Sequence, residues 1–257
     1  MNDEIHFLSI SAASELLKNR DISPVELTEH MLRRIEKLDI KLKSYVTVCG
    51  DQAMDSAKEA EKEILAGKDL GLLHGIPLAV KDLCHMAGIR TMGGLKVKRN
   101  FIPSFDSSVV VKLRRAGAIL LGKAALTEGA LSAYNPDFEI PVNPWGEKLW
   151  AGVSSSGSGV ATAAGLCFGA LATDTGGSIR YPSMASGVVG LKPTYGSVSR
   201  YGVMELAGSL DHVGPIARNV KDAAIIFEAI AGKDILDVTT THERASSIVN
   251  GLPADIS

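Results

Sequence analysis

The sequence predicts an α/β fold in which helices and short buried strands alternate along the chain. After residue 70, short apolar runs typical of buried strands are separated by amphipathic segments with helical spacing. The 257 residues are enough to bury a sizeable core, and the 26 glycines indicate many tight turns rather than a helical bundle. The candidate strands are 76–81, 118–121, 168–172, 188–191 and 213–216, and the candidate helices are 106–116, a short one from Val160, and 220–231.

Three regions of the chain differ in composition and pattern. Residues 1–70 are predicted to be a helical segment that packs on the core, because 9–66 have a helical pattern almost throughout. Ser23-Pro24-Val25-Glu26 is typical of a helix start, with a hydroxyl N-cap, a proline in the first turn and a glutamate that completes a capping box. Residues 71–233 form the predicted core, and residues 234–257 are predicted to be a polar, aperiodic tail.

Composition narrows the possible functions. The formal net charge is −2 and no basic stripe occurs, so we expect no direct binding of nucleic acid. The three cysteines lack CxxC spacing and are typical of free thiols in a reducing compartment. The chain opens without a leader pattern and has no run of about 18 apolar residues, which predicts a cytoplasmic protein with no membrane partner. No cluster has metal-ligand spacing, so neither a metal nor a cofactor is predicted.

Two glycine-lined turns that carry serines are the strongest candidates for chemistry. The first is Ser154-Ser155-Ser156-Gly157-Ser158-Gly159, and the second is Asp174-Thr175-Gly176-Gly177-Ser178-Ile179-Arg180. Glycine lets a substrate approach the main chain closely, and successive N–H groups of such a turn can converge on a developing negative oxygen. A flexible linker is the alternative, but the apolar helix and strand between the turns argue against it.

A serine nucleophile needs a base, and none of the six histidines lies in a motif that resembles a histidine-based hydrolase. The second turn also fails the Gly-x-Ser-x-Gly pattern at its last position, Arg180. Lys81, at the end of the predicted strand 76–81, can act as a base if burial keeps it neutral. The alternative is a structural lysine paired with Asp82 at the strand end, and Lys81 alone leaves both interpretations open.

Two further glycine patterns are not predicted to bind nucleotides. Residues 117–124 have the spacing of a phosphate loop, but Ala124 lacks the hydroxyl that a magnesium ion needs, and the interior of the segment has the pattern of a strand. Gly157-x-Gly159 lacks the third glycine of the dinucleotide fingerprint.

These motifs resemble the signature of the amidase signature family of serine hydrolases. The two serine turns match its central motif, and Gly75-Ile76-Pro77-Leu78-Ala79-Val80-Lys81-Asp82 matches its upstream lysine motif. Residues 190–196 and 209–215 match two downstream motifs, and the resemblance extends from about Leu8 to Gly232. It implies a mixed β-sheet core flanked by helices on both faces. Members of the family usually continue further, so the fold is expected to be incomplete, with a truncated C-terminus.

The resemblance implies a catalytic triad. Ser178 would be the nucleophile and Lys81 the base. Ser154, preceded by a cis peptide bond, would pass the proton between them, and Ser155 would support Lys81 through a second hydrogen bond.

The resemblance also implies how the second turn would serve the reaction. Its backbone N–H groups would form the oxyanion hole, contributed by Thr175, Gly176, Gly177 and Ser178. Asp174 and Arg180 are expected to form an ion pair that holds the turn. Contact between Arg180 and an acidic substrate is the alternative.

The implied function is hydrolysis of a small-molecule carboxylic amide through an acyl-enzyme. One alternative is the glutaminase (A) subunit of a tRNA-dependent amidotransferase, which would require partner subunits. Another is a truncated, inactive paralogue. For the simple amidase a homodimer is a further expectation, and Met204, Glu205 and Phe138 are candidates for lining the acyl pocket.

Overall fold

The computed structural model of the protein describes residues 4–241 and 248–252. Its strands are β1 (Tyr45–Val48), β2 (Pro77–Lys81), β3 (Ile119–Ala124), β4 (Gly169–Asp174), β5 (Val189–Gly190) and β6 (His212–Ala217). They form a six-stranded sheet in the order β1-β3-β2-β4-β6-β5. β2 pairs in parallel with β3 and β4, whereas the β1–β3, β4–β6 and β5–β6 pairs are antiparallel. The predicted mixed sheet is therefore confirmed.

Helices flank this sheet. They are α1 (Ile10–Asn19), α2 (Pro24–Leu42), α3 (Gly50–Leu65), α4 (Ser108–Arg115), α5 (Ser156–Ala163), α6 (Arg180–Ser186), α7 (Val220–Ile230) and α8 (Ile248–Gly251). α3 packs on β3, α5 packs on β2 and β4, and α7 packs on β6. The central strands β2, β3 and β4 are buried at every residue, which explains their continuous apolar runs.

The start of α2 is the one that its sequence predicts. The Ser23 hydroxyl accepts a hydrogen bond from the Glu26 N–H at 3.1 Å. The Glu26 carboxylate in turn accepts one from the Ser23 N–H at 2.8 Å. This reciprocal capping box satisfies two donors that the helix itself leaves unpaired.

The helical prediction for residues 9–66 is wrong at one place. Tyr45–Val48 form β1, an edge strand that pairs with β3. The tetrapeptide Tyr-Val-Thr-Val consists of an aromatic and three β-branched residues, which favour a pleated, half-buried surface. The segments on both sides of β1 have a helical pattern, so this strand of four residues was not predicted. Helix α6 is a second element that the sequence analysis did not predict.

The segment predicted as a polar tail begins with an ordered turn. The Asp237 carboxylate accepts hydrogen bonds from the Arg200 N–H at 2.7 Å and from the Thr239 N–H at 3.0 Å. The Thr241 N–H donates to the Gly196 carbonyl at 3.2 Å. Residues 234–241 therefore pack on the core, and the rest of the predicted tail, apart from 248–252, lies outside the described residues.

Gly157 allows α5 to approach the backbone of neighbouring segments. A Cβ at this position would lie 2.4 Å from the Ala125 nitrogen and 2.4 Å from the Ser44 carbonyl oxygen. We expect Gly157→Ala to lower the free energy of unfolding by about 1–3 kcal/mol. The added methyl group would meet main-chain atoms, which can move only if their whole segment shifts. The urea midpoint measures this. Gly50→Ala in α3 is the control, since no atom lies within 4 Å of its Cβ position, and equal effects of the two variants would contradict the expectation.

Candidate active site

The site is built where two parallel strands end beside the start of a helix. Lys81 is the last residue of β2, and the register of β2 against β4 pairs Val80 with Leu171. The carboxyl ends of the two strands therefore lie side by side, which brings Thr173 of β4 close to Lys81. The serine turn before α5 closes the site, because α5 packs on both strands.

The amine of Lys81 is surrounded by hydroxyl groups. Its Nζ lies 2.7 Å from the Ser154 Oγ, 2.8 Å from the Ser155 Oγ and 2.8 Å from the Thr173 Oγ1. The side chain is fully buried. These three hydroxyls supply an acceptor for each proton of an ammonium group without supplying a counter-charge.

The environment of Lys81 favours its neutral form. Burial lowers the pKa of Lys81 from 10.5 to about 7. The charges of Cys84, Asp174 and Asp211 act in the opposite direction, but they do not outweigh desolvation. An amine with a pKa near neutrality can both accept and return a proton under ordinary conditions.

The alternative interpretation of Lys81, a structural lysine paired with Asp82, is wrong. The Asp82 Oδ1 lies 3.1 Å from the Nζ of another lysine, Lys123, and both side chains are fully buried. Successive residues of a strand point to opposite sides of the sheet, so adjacency in the sequence separates Lys81 and Asp82 rather than pairing them.

Ser154 and Ser155 connect Lys81 to the second turn. The peptide bond between Val153 and Ser154 is cis, as expected. The Ser155 Oγ donates to the Thr173 carbonyl at 3.1 Å, and the Ser155 N–H donates to the Ser178 carbonyl at 3.2 Å. The structure thus brings Lys81, Ser154 and Ser155 into direct contact and attaches Ser178 to them through its backbone.

Thr173 is the site residue that the sequence analysis missed. Its hydroxyl is the third partner of Lys81, and the side chain is buried. A signal was present in the sequence, because Thr173 is the first polar residue after the apolar run 168–172, at the end of the strand that carries the second turn. Only the pairing of β2 with β4 shows that this strand end faces Lys81.

Asp174 holds the second turn in shape. Its carboxylate accepts the Gly177 N–H at 2.7 Å and the Ile179 N–H at 3.1 Å. The Arg180 guanidinium donates to it from Nε at 3.0 Å and from Nη2 at 2.9 Å. Burial alone would raise the pKa of Asp174, but these hydrogen bonds outweigh burial and lower it. The expected ion pair is therefore present, and the Arg180 side chain remains 54% exposed beside it.

Three backbone donors of the turn remain available. The N–H groups of Thr175, Gly176 and Ser178 donate to no atom of the described residues. The Gly177 N–H is engaged by Asp174, so the oxyanion donors predicted at this turn do not all point to one place. Gly177 has φ +129°, and a Cβ there would lie 2.2 Å from the Tyr181 ring. A side chain at this position would therefore distort the turn that carries Ser178.

A cavity of about 200 Å³ opens next to the site and is lined by Thr173 and Thr175. Met204 and Glu205 line it, as the sequence analysis predicted, whereas Phe138 is not among its lining residues. Its other lining residues are mainly apolar or hydrogen-bonded to one another: Leu83, Ala130, Arg200, Tyr201, Val203, Leu206, Asp211, His212, Val213, Leu236 and Asp237. A small acyl group could occupy this space beside the second turn.

Two kinds of feature are absent from the described residues. Among 4–241 and 248–252, no three histidine, cysteine or carboxylate side chains are grouped so that they could hold a metal ion. Over the same residues, no helix combines the length and apolarity that crossing a bilayer requires.

Comparison with known proteins gives one consistent family. The family model for amidases matches residues 26–251. The protein named "Putative amidase AmiD" from Mycobacterium tuberculosis is 51% identical over 241 residues, which cover 94% of this chain and 51% of that protein. The A subunit of glutamyl-tRNA(Gln) amidotransferase from Carboxydothermus hydrogenoformans is 43% identical over 255 residues, which cover 98% of this chain and 53% of that protein. This chain thus spans about half the length of the curated relatives that it matches.

Solved structures agree with this result. The native peptide amidase from Stenotrophomonas maltophilia superimposes with a TM-score of 0.87 and 35% sequence identity, over 97% of this chain and 51% of that chain. The family match covers most of the sequence, including both serine turns and Lys81. The chain therefore belongs to the amidase family.

Proposed function

We propose that this chain carries the catalytic centre of an amidase that hydrolyses a small-molecule carboxylic amide to the acid and ammonia or an amine. The observation that carries the proposal is the fully buried Lys81, whose amine contacts only hydroxyl groups and has a pKa of about 7. A structural lysine gains stability from a carboxylate partner. A lysine that acts as a base instead needs uncharged hydrogen-bond partners and a lowered pKa.

The reaction begins with proton transfer away from Ser178. The neutral amine of Lys81 accepts the proton of the Ser154 hydroxyl, and Ser154 takes the proton of Ser178. The Ser178 Oγ forms a bond to the amide carbon, and the carbonyl electron pair moves onto its oxygen. Ser155 and Thr173 hold the Lys81 amine in place through the contacts at 2.8 Å.

The collapse of this intermediate releases the amine. The proton held by Lys81 returns through Ser154 to the leaving nitrogen, the C–N bond breaks, and the acyl group stays on the Ser178 Oγ. A water molecule then gives its proton to the same relay and attacks the ester, which releases the acid and restores the Ser178 hydroxyl. The N–H groups of Thr175, Gly176 and Ser178 are the proposed donors to the oxyanion in both halves of the reaction.

A second candidate function is the glutaminase subunit of a tRNA-dependent amidotransferase. The 43% identity to the A subunit of such an amidotransferase, over 98% of this chain, favours it. In that case the partners would be further subunits, and ammonia would be passed on rather than released. We place either activity in the cytoplasm, which is supported by the three free, buried thiols Cys49, Cys84 and Cys167.

A panel of amides tests these candidates. Ammonia release by the purified protein is measured with aliphatic, aromatic and amino-acid amides, including glutamine. A simple amidase turns over one class of these amides without any partner. Glutamine turnover that requires partner subunits and charged tRNA would instead identify the amidotransferase component, and no turnover under either condition would refute both proposals.

The pH dependence of kcat/KM follows from the state of Lys81. Below its pKa the amine carries a proton and cannot accept another, so kcat/KM should fall about tenfold per pH unit below pH 7. Above the pKa of about 7 it should level off. A substrate that does not titrate between about pH 5 and 9 is required for this measurement. An acid limb centred near the ordinary lysine pKa would contradict the assignment of Lys81.

A further inference from the structure

The main-chain pairing of β4 with β6 ends next to the second turn, and a contact between side chains continues it. The last registered pair is Asp174 and His212, so the same register places Thr175 opposite Asp211. The Thr175 hydroxyl donates to the Asp211 Oδ1. The Thr175 N–H, in contrast, donates to no atom of the described residues. The side chain of Thr175 is thus held while its backbone donor stays available to a substrate oxygen.

The other oxygen of Asp211 holds a wall of the cavity beside the site. This Oδ2 accepts the Leu206 N–H at 2.9 Å and the Ala207 N–H at 3.0 Å. The Asp211 N–H donates to the Ala207 carbonyl at 2.9 Å, which closes a compact turn. Leu206, Asp211 and Thr175 all line the cavity. One carboxylate therefore connects the turn that carries Ser178 to the wall against which an acyl group would pack.

Asp211 also lies close enough to Lys81 for its charge to act on the amine. Burial lowers the pKa of Lys81, and the charges of Cys84, Asp174 and Asp211 act against burial. Burial raises the pKa of Cys84 to about 11, which keeps this thiol neutral, and Asp174 is paired with Arg180. The partners of Asp211 are a hydroxyl and two backbone N–H groups, which carry no formal charge. Of these three groups, Asp211 is therefore the one whose charge towards Lys81 is not compensated.

A bond of the same kind elsewhere in the protein lies outside the site. The Ser199 hydroxyl donates to the Oδ2 of Asp234, and neither residue lines the cavity. The bond between Thr175 and Asp211 differs, because one partner carries a proposed oxyanion donor and the other lines the space beside it. Displacement of Thr175 would move its N–H relative to Ser178, and an oxyanion donor acts only from a fixed position.

We propose that Asp211 is a positioning residue for the oxyanion donors. Through the Thr175 hydroxyl it fixes the N–H of that residue towards the developing oxyanion. Through its second oxygen it fixes the adjacent wall of the cavity, so that an acyl group in the cavity presents its carbonyl oxygen to a donor in a constant geometry. The proposal rests on the proposed amide hydrolysis, in which this N–H stabilises the oxyanion.

A double-mutant cycle in kcat tests this role. Thr175→Val removes the hydroxyl at nearly constant volume and should lower kcat for the best amide by about 10–100-fold, with KM changed by less than about threefold. Asp211→Ala should lower kcat at least as much. Because both variants break the same contact, the double variant should lose no more kcat than Asp211→Ala loses alone. Losses that multiply in the double variant would overturn the proposal.

Thr175→Ser separates the hydroxyl from the shape of the side chain. Serine keeps the donor to Asp211 and should recover most of the kcat that Thr175→Val loses. In the Asp211→Ala background, serine and valine at this position should give equal kcat. Equal kcat of the two variants in the wild-type background contradicts the role of the hydroxyl, and this comparison decides the question if Asp211→Ala does not fold.

Ser199→Ala is the matched control for the loss of a hydroxyl–carboxylate bond. Its urea midpoint should fall about as much as that of Thr175→Val, because each variant loses one hydrogen bond to a carboxylate. Its kcat should stay within about twofold of the wild type, since Ser199 does not line the cavity. Equal losses of kcat in Ser199→Ala and Thr175→Val would mean that activity only follows stability, which also overturns the proposal.

Titration of Lys81 gives a readout that needs no substrate. The protein is labelled with ¹³Cε-lysine, and the Lys81 signal is assigned as the one missing from Lys81→Met. Asp211→Asn removes a negative charge that favours the ammonium form, so the Lys81 midpoint should fall by roughly half a pH unit. Thr175→Val keeps that charge and should leave the midpoint in place. An unshifted midpoint in Asp211→Asn would contradict the placement of this carboxylate beside Lys81.

The two readouts separate the inference from the function on which it rests. A wild type that is inactive towards every amide, but whose Lys81 midpoint shifts in Asp211→Asn, would refute the proposed amide hydrolysis. An active wild type whose kcat survives Thr175→Val would instead refute the role of Asp211.

Discussion

Ser178→Ala is expected to reduce kcat for the best amide of the panel by at least about 10⁴-fold. The substitution removes the only atom of the protein that forms a bond to the acyl group in the proposed reaction. The one other hydroxyl side chain in the second turn is that of Thr175. The Thr175 hydroxyl donates to Asp211 and is therefore engaged. KM should change little, because the cavity walls do not include Ser178.

The matched control for this variant is Ser183→Ala. Ser183 lies on α6, shortly after Ser178 in the chain, and its Oγ donates to the Ile179 carbonyl at 2.8 Å. This is a local helix contact, so the substitution removes no reacting group. We expect Ser183→Ala to retain most of kcat, so a comparable loss in both variants would show that the turn is merely sensitive to substitution.

Covalent labelling identifies the nucleophile directly. A fluorophosphonate should label the wild type at Ser178, found by peptide mass mapping, and should not label Ser178→Ala. Labelling of Ser178→Ala at the wild-type rate would assign the nucleophile to another residue. If Ser178→Ala loses kcat but the wild type is not labelled, Ser178 supports the site without forming an acyl-enzyme.

Much of this site is predictable from sequence because its parts are local. Each serine turn is a continuous stretch with glycines at fixed places, and the strand 77–81 ends on Lys81 in the sequence as in the structure. The ion pair of Asp174 with Arg180 also closes within a single turn. Local motifs of this kind depend on backbone conformations that glycine permits, and such conformations leave a clear signature in the sequence.

The parts that were missed or wrong depend on which strands pair. The contact of Thr173 with Lys81 requires β4 to lie beside β2, and the contact of Asp82 with Lys123 requires β3 on the other side. The sequence does not state this order, because β2 pairs with two strands that follow it at long separation. β1 was missed for a related reason, since an edge strand of four residues is stabilised mainly by its partner.

Lys81→Met is expected to reduce kcat by at least about 10³-fold and to remove the acid limb near pH 7, because the substituted side chain accepts no proton. Lys81→Arg should be equally inactive, since a guanidinium stays charged at every pH of the assay. Lys37→Met, on the exposed side of α2, is the control for loss of a positive charge. Retention of the acid limb in Lys81→Met would assign the titrating group to another residue.

The stability of Lys81→Met gives an independent check with a definite sign. Burial lowers the pKa of Lys81 from 10.5 to about 7, so between these values the unfolded chain binds more protons at this residue than the folded chain does. The free energy of unfolding of the wild type should therefore gain a contribution from Lys81 as the pH rises from about 7 to about 10.5. Methionine does not titrate, so Lys81→Met should lack this gain. The free energy of unfolding of Lys81→Met should exceed that of the wild type most below pH 7. This difference should shrink as the pH rises from about 7 to about 10.5, as measured by urea unfolding at each pH. A difference between the two proteins that does not depend on pH would mean that Lys81 keeps its ordinary pKa in the folded protein and could not act as the base.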